Sequence, residues 1–430
     1  MKKIILYILL VVPFLMNAQN TPAPKQSESI LIIGATAHLG TGEAIENSAI
    51  GFENGKITFV GTADKADKTA FATIINATGK DVYPGFIAPN NQLGLVEIEA
   101  VRATRDDREV GFFNPNIRSI IAYNTDSKVT PTIRSNGVLL SQITPQGGRI
   151  SGQSSVVQLD AWNWEDATVN TDEGIWMSWP RYYTWTGWWA EPGEIKMNDD
   201  YNEQVQAIKD YFKEAKAYAN AQPSDEKNLK FEAMKGLFLD GEKSKTLYVR
   251  VDFSKAMMEV VNFAKAEDIE VVLVGANDAW MITDFLKEND ISLIISQTHR
   301  LPSREDEDVD MPFKTPKILS DAGINFALSI NDMWQQRNLP FQAGHAVGYG
   351  LDYEKAVQAV TLNPAEIMGI EDTYGSLETG KSATLFISKG DVLDMRTCEV
   401  EQAFIDGREI DLNNKHKALY EKFKAKYDRQ

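Results

Sequence analysis

From about Pro84 onward, apolar runs of strand length alternate with stretches of helical period, which restricts the chain to parallel βα units. VTPTIRSNGVLLSQITP, IEVVLVGAND, ISLIISQTH and INFALSIND each read as a buried strand that follows a helix ending in a turn signal. The flanks have another texture. SILIIGATAHLG, NSAIGFENGKITFVG and TIINATGKDVYPGFI on one side, with GSLETGKSATLFISKGD and VEQAFIDGREI on the other, are short β-rich runs. ENGK at 53–56 predicts a hairpin, because Asn54 and Gly55 tolerate the positive φ of tight turns. β-rich ends around an α/β middle predict a small β-domain assembled from both termini, with a barrel inserted between them.

The expected bounds are 20–83 and 375–412 for the two parts of the β-domain, 84–374 for the barrel and 413–430 for a charged terminal helix. An insertion over about 160–245 interrupts the barrel. Within it Tyr201, Val205, Ile208, Phe212, Ala215 and Ala219 recur at steps of three and four, a docked amphipathic helix with Asp200 and Glu203 as a capping pair.

Lys2 and Lys3 precede an apolar run from Ile4 to Met16, and Ala18 stands before polar Gln19, the pattern of a secretory signal peptide over 1–19. That run is too short to span a bilayer, so the mature chain is expected to be exported without a membrane span, to a periplasm or the outside. Cys398 is the only cysteine, so no intramolecular disulfide forms. Without Lys2 and Lys3 the balance is 42 basic to 61 acidic side chains, a charge of −19 that disfavours nucleic acid and anionic membrane surfaces as partners.

NGKITFVG (54–61), YPGFI (83–87), RNLPFQAGHAVGYGL (337–351), AVTLNPAEIMGI (359–370), GSLETGKSATLFI (375–387) and FIDGREI (404–410) are ordered landmarks spanning nearly the whole mature chain. Together they resemble the amidohydrolase superfamily, in its exported, imidazolonepropionase-like branch. The resemblance implies a (β/α)8 TIM-type barrel inserted in a composite β-sandwich, with chemistry at the C-terminal ends of the strands. It also implies a metal held by histidines that activates water, and an aspartate on the last strand that shuttles the proton.

Against that frame the ligand positions are substituted. Where the family carries two histidines after PGFI, this chain reads Ala88, Pro89, Asn90, Asn91, Gln92, so Asn90 and Gln92 take their places. The fifth-strand ligand falls at Asp252, the sixth-strand ligand at Gly275 and the strand-eight base at Asn331. A carboxamide is a poor ligand for a zinc-like ion, and asparagine cannot take a proton at neutral pH. No metal or other cofactor is therefore expected. The reading that follows is a silent binding or partner subunit. It would take a small-molecule or peptide-like ligand and pair with a metal-competent paralogue or a second copy of itself. The alternative is a hydrolase of C–N bonds with a rebuilt site around Asp252, His299 and Asp332, although Asp332, one step past Asn331, turns to the opposite face of a strand.

Of the four histidines, His38 falls in the β-domain and His416 in the terminal helix. His345 reads as a packing or surface residue of a helix, and His299 follows a strand at the barrel's catalytic end. REDEDVD (304–310) reads as a solvated loop. Seven of the nine tryptophans lie between 162 and 189, which makes that stretch a lid or subunit contact, or a stacking platform at Trp188 and Trp189. GGRISGQSS, with Gln153, is either a turn or a set of donors for an anionic group.

Overall fold

The computed structural model describes residues 21–428 apart from 189, 192, 222–225, 239–243 and 303. The expected signal peptide lies outside the described residues, and no described helix is long and apolar enough to cross a membrane. Eight strands form one sheet in chain order: β1 (Phe86–Asn91), β2 (Val138–Ile143), β3 (Ile150–Gln158), β4 (Thr168–Ser178), β5 (Thr246–Val251), β6 (Val271–Gly275), β7 (Ser292–Ile295) and β8 (Phe326–Leu328). Its outer strands approach each other through residues 359 and 360. The amide of Leu328 on β8 donates to the Ala359 carbonyl (3.1 Å), and that of Ile87 on β1 donates to the Val360 carbonyl (2.9 Å). The result is a nearly closed barrel.

Every residue of β1 and β2 is buried, polar Asn90, Asn91 and Gln142 included, because both faces of these strands are covered. On β4 to β8, Trp176, Tyr248, Val272, Val274, Ile294 and Ala327 pack with Ile367 into an inner cluster. The alternate residues, among them Ile175, Met177, Leu247, Val249, Leu273 and Leu293, join the large outer core instead. One departure from the expected eightfold repeat is β3, which pairs antiparallel with both β2 and β4. Its connections, 144–149 and 159–167, are too short for the crossover that parallel neighbours need, so the chain must turn straight back.

In the insertion, α1 (Tyr201–Ala219) buries Tyr201, Ile208, Phe212, Ala215 and Ala219, as its spacing predicts. The Asp200–Glu203 capping pair does not form. Asp200 sits at φ −87, ψ 4 and makes no side-chain cap, since a capping side chain needs the extended backbone that places its oxygen over the first amides.

Both termini meet in one six-stranded sheet, where Asp81–Pro84 pairs antiparallel with Leu385–Ser388. A four-stranded sheet of Ile30–Ile33, Ser48–Glu53, Lys56–Thr62 and Thr73–Asn76 faces it across a core that includes Ile32, Phe52, Val82, Leu385 and Phe404. The predicted hairpin turn is present, with Asn54 at φ 52 and Gly55 at φ 78. A buried ion cluster joins chain ends to barrel: Asp160 accepts from Arg134, from Arg408 (3.0 Å) and from the Ala23 amide (2.8 Å). Helix α2 (Leu339–Gly348) follows β8 and buries Leu339, Ala343 and Ala346 in the main core, whereas the terminal helix α3 (Lys415–Tyr427) buries no residue.

Candidate functional site

The C-terminal ends of the barrel strands gather the substituted positions. At the end of β1, Asn90 adopts φ 52, and the register with β2 slips between Ala88 and Asn91. This bulge breaks the alternation that would have aimed Asn90 and Gln92 the same way. Asn91 is the residue that becomes structural: its Nδ2 donates to the Ala88 carbonyl and to Ser141 Oγ, both at 2.8 Å, and its Oδ1 accepts from the Leu93 amide. Asn90 donates its backbone amide to Gln142 Oε1 (3.2 Å), while its own Oδ1 is enclosed with no hydrogen-bond partner. Gln92 is partly buried, and its carbonyl accepts from the Leu95 and Val96 amides.

Asp252 and Gly275 are neighbours. Gly275 has φ 91, and a Cβ placed on it would stand 2.6 Å from Asp252 Oδ1. The carboxylate thus fills the volume that a side chain from the end of β6 would need. Burial pushes the Asp252 carboxyl up, with Asp278 adding to the effect, against the opposing pull of Arg181 and Arg300. Asn331 is exposed and accepts from Gln146 Nε2 at 3.5 Å. Asp332 is engaged elsewhere: its Oδ1 accepts from the Gln335 amide (2.7 Å) at the start of a 3-10 turn. Deeper in the barrel, the Arg250 guanidinium stacks over Trp176 at 4.6 Å and donates to the Pro145 carbonyl (3.0 Å), and burial pulls it down to about 9. Burial also lifts Glu173 to about 7, against the Ser154 and Gln142 donors that bond it.

The residues do not fit the metal that the sequence resemblance implies. Asn90, Gln92, Gly275 and Asn331 offer neither imidazole nor carboxylate, and Asp252 alone cannot hold a zinc-like ion. Among the described residues no three His, Cys, Asp or Glu side chains are placed to share a metal, so Asp252, His299 and Asp332 do not assemble as ligands.

The structure instead joins His299 to His345, a pairing the sequence did not reveal. Their Nε2 atoms are 3.0 Å apart, with the Phe313 ring 5.9 Å from each imidazole. Burial and His345 together lower the His299 imidazole below its ordinary value. Only the apolar spacing of helix α2 could have hinted that residue 345 faces the loop after β7.

The tryptophan-rich stretch is not one platform. Trp176 and Trp179 are core residues, whereas Trp188 is 55% exposed and bonds Glu191 through backbone and side chain. Trp189 lies outside the described residues. Gln153 is buried, with its amide oxygen taken by Lys245 and its backbone amide bonded to the Ile117 carbonyl (2.7 Å). The acidic loop is charge-paired: Asp306 meets Arg304, Glu307 meets Arg300, and Asp308 and Asp310 meet Lys314.

Residues 313–410 match the sequence profile described as the amidohydrolase family. Over 55 residues the chain is 46% identical to an imidazolonepropionase of Bacillus thuringiensis (strain Al Hakam) and 44% identical to that of Bacillus mycoides (strain KBAB4). Each match spans 13% of this chain and 13% of the relative. Among solved structures, an amidohydrolase from Thermotoga maritima MSB8 superposes with a TM-score of 0.75 at 23% identity, over 89% of this chain and 99% of that one. A Xaa-Pro dipeptidase with bound methionine in its active site superposes with a TM-score of 0.55 at 13% identity, over 89% and 100%. These likenesses concern the fold.

Proposed function

We propose, from the premise that this chain belongs to the amidohydrolase superfamily and stands with its imidazolonepropionase-like members, that it is a catalytically silent binding or partner subunit. The fold is read as a variant of that superfamily's barrel, 84–374, with β3 antiparallel to its neighbours, inserted in a composite β-sandwich of 20–83 and 375–412. The observation that carries the reading is Asp252 lying against Gly275, so that one ligand position is occupied by the side chain of another. Asn331, at the base position, can neither give nor take a proton at neutral pH. Polar groups that bind without reacting remain: the enclosed Asn90 Oδ1 at the end of β1 and, deeper in the barrel, the Arg250 guanidinium. Its ligand is a small or peptide-like molecule, and its partner is a metal-competent paralogue or a second copy. The site of action is the exported compartment that the leader-like residues 1–19 address.

A second reading, hydrolysis of a C–N bond in a cyclic amide or peptide-like substrate, is favoured by the raised Asp252 carboxyl, because a carboxyl nearer neutrality is a better acid or base. The deciding experiment incubates purified mature protein with zinc, manganese or iron(II) and assays cyclic amides and dipeptides. The silent reading expects no turnover. Turnover abolished by Asp252→Asn or Asp332→Ala, with the fold retained, establishes the second reading in its place.

A further inference from the structure

We propose that His299 and His345 form a two-histidine site for a divalent transition-metal ion with cis nitrogen positions, copper(II) first and nickel(II) next. The site shares no residue with Asn90, Gln92, Asp252, Gly275 or Asn331.

The Nε2 atoms stand 3.0 Å apart. With metal–nitrogen bonds of about 2.0 to 2.1 Å, that separation subtends about 95° at a shared ion. The ring centroids are 3.8 Å apart, closer than two imidazoles aimed at one ion allow, so a turn of the exposed His299 ring completes the geometry on binding. Copper(II) also heads the order of affinity for nitrogen ligands among the first-row divalent ions.

The pair is held in place before any ion arrives. Gln342, buried on the preceding turn of α2, accepts from the His299 amide (2.9 Å) and from Thr298 Oγ1 (2.8 Å), which fastens the loop after β7 to the helix carrying His345. Phe313 lies edge-on to His299 and is itself stacked on Tyr349 at 5.0 Å, which fixes the far side of both imidazoles. His299 is exposed, so an ion reaches the pair from solvent.

Without a metal, one imidazole donates its Nε2 proton to the other. The ion takes both Nε2 lone pairs when the donor ring shifts to its Nδ1–H tautomer, and no proton is lost overall. Water or a ligand fills the remaining positions. His345 Nδ1 is enclosed without a partner, so the bond from its ring lacks the outer hydrogen bond that strengthens metal-bound histidines. A reversible site is expected rather than a permanent one.

The test titrates chelator-treated mature protein with copper(II) in a non-coordinating buffer, followed by calorimetry and electron paramagnetic resonance. One equivalent binds, and the spectrum carries hyperfine structure from two nitrogens. His299→Gln, on the exposed loop, and His345→Ala each weaken binding by at least about tenfold, because each removes one of two imidazoles. His416→Ala leaves it unchanged. The proposal is overturned if His299→Gln binds within about twofold of the parent, or if the spectrum shows a single nitrogen.

Discussion

Replacing Gly275 with alanine probes whether the Asp252 carboxylate fills the space beside the end of β6. At φ 91 the new residue is forced into a backbone region costing about 1 to 3 kcal/mol. Its Cβ also meets Asp252 Oδ1 at 2.6 Å, and the displaced carboxylate adds about 1 to 2 kcal/mol of crowding. Only the second contribution depends on Asp252. A double-mutant cycle therefore separates them: Gly275→Ala alone should cost about 2 to 5 kcal/mol, and in the Asp252→Ala background about 1 to 2 kcal/mol less. Urea denaturation of the four proteins at one pH supplies the numbers. Costs that add to within about 0.5 kcal/mol would refute the contact, and with it the claim that one ligand position is blocked by another.

Two further outcomes are expected. His38 donates a hydrogen bond from Nδ1 to Glu354 Oε1 (2.7 Å) and lies 3.8 Å from Asp81; burial opposes its charge, but those two carboxylates win and raise it to about 9. Its contribution to stability is therefore full below about pH 6.5 and fades as pH rises through 9, and His38→Gln should abolish that slope in denaturation curves taken across the window. Asp160→Ala leaves the Arg134 and Arg408 guanidiniums buried without their carboxylate, and should cost about 3 to 5 kcal/mol in urea unfolding. A loss below about 1 kcal/mol would mean that the chain ends are not fastened to the barrel through this cluster.

The strands were legible because most of their residues are apolar. LLSQI, VVLVG, SLII and FAL appear where the alternation placed them, and the ENGK turn has the backbone its residues tolerate. The direction of β3 was not legible, since strand direction follows from the length of the connections and not from the strand's own residues. At the site, the identities of Asn90, Gln92, Asp252, Gly275 and Asn331 could be read from the sequence. The bulge at Asn90, the contact between Asp252 and Gly275 and the junction of His299 with His345 could not. Each depends on a backbone dihedral or on loop geometry joining residues far apart in the chain. The tryptophans show the same limit: Trp176 and Trp188 look alike in a composition count, yet one is sealed in the barrel and the other stands in solvent.

Metal content in the His299→Ala/His345→Ala double variant most directly tests the claim that the barrel mouth has lost its catalytic ion. The double variant removes the two-histidine pair, so any ion retained reports on the mouth. Purified from medium supplemented with zinc, iron and manganese, it should carry less than about a tenth of an equivalent of each, given carboxamides and glycine at the ligand positions. One tightly held equivalent per chain, lost together with hydrolytic activity on chelation, would contradict the account.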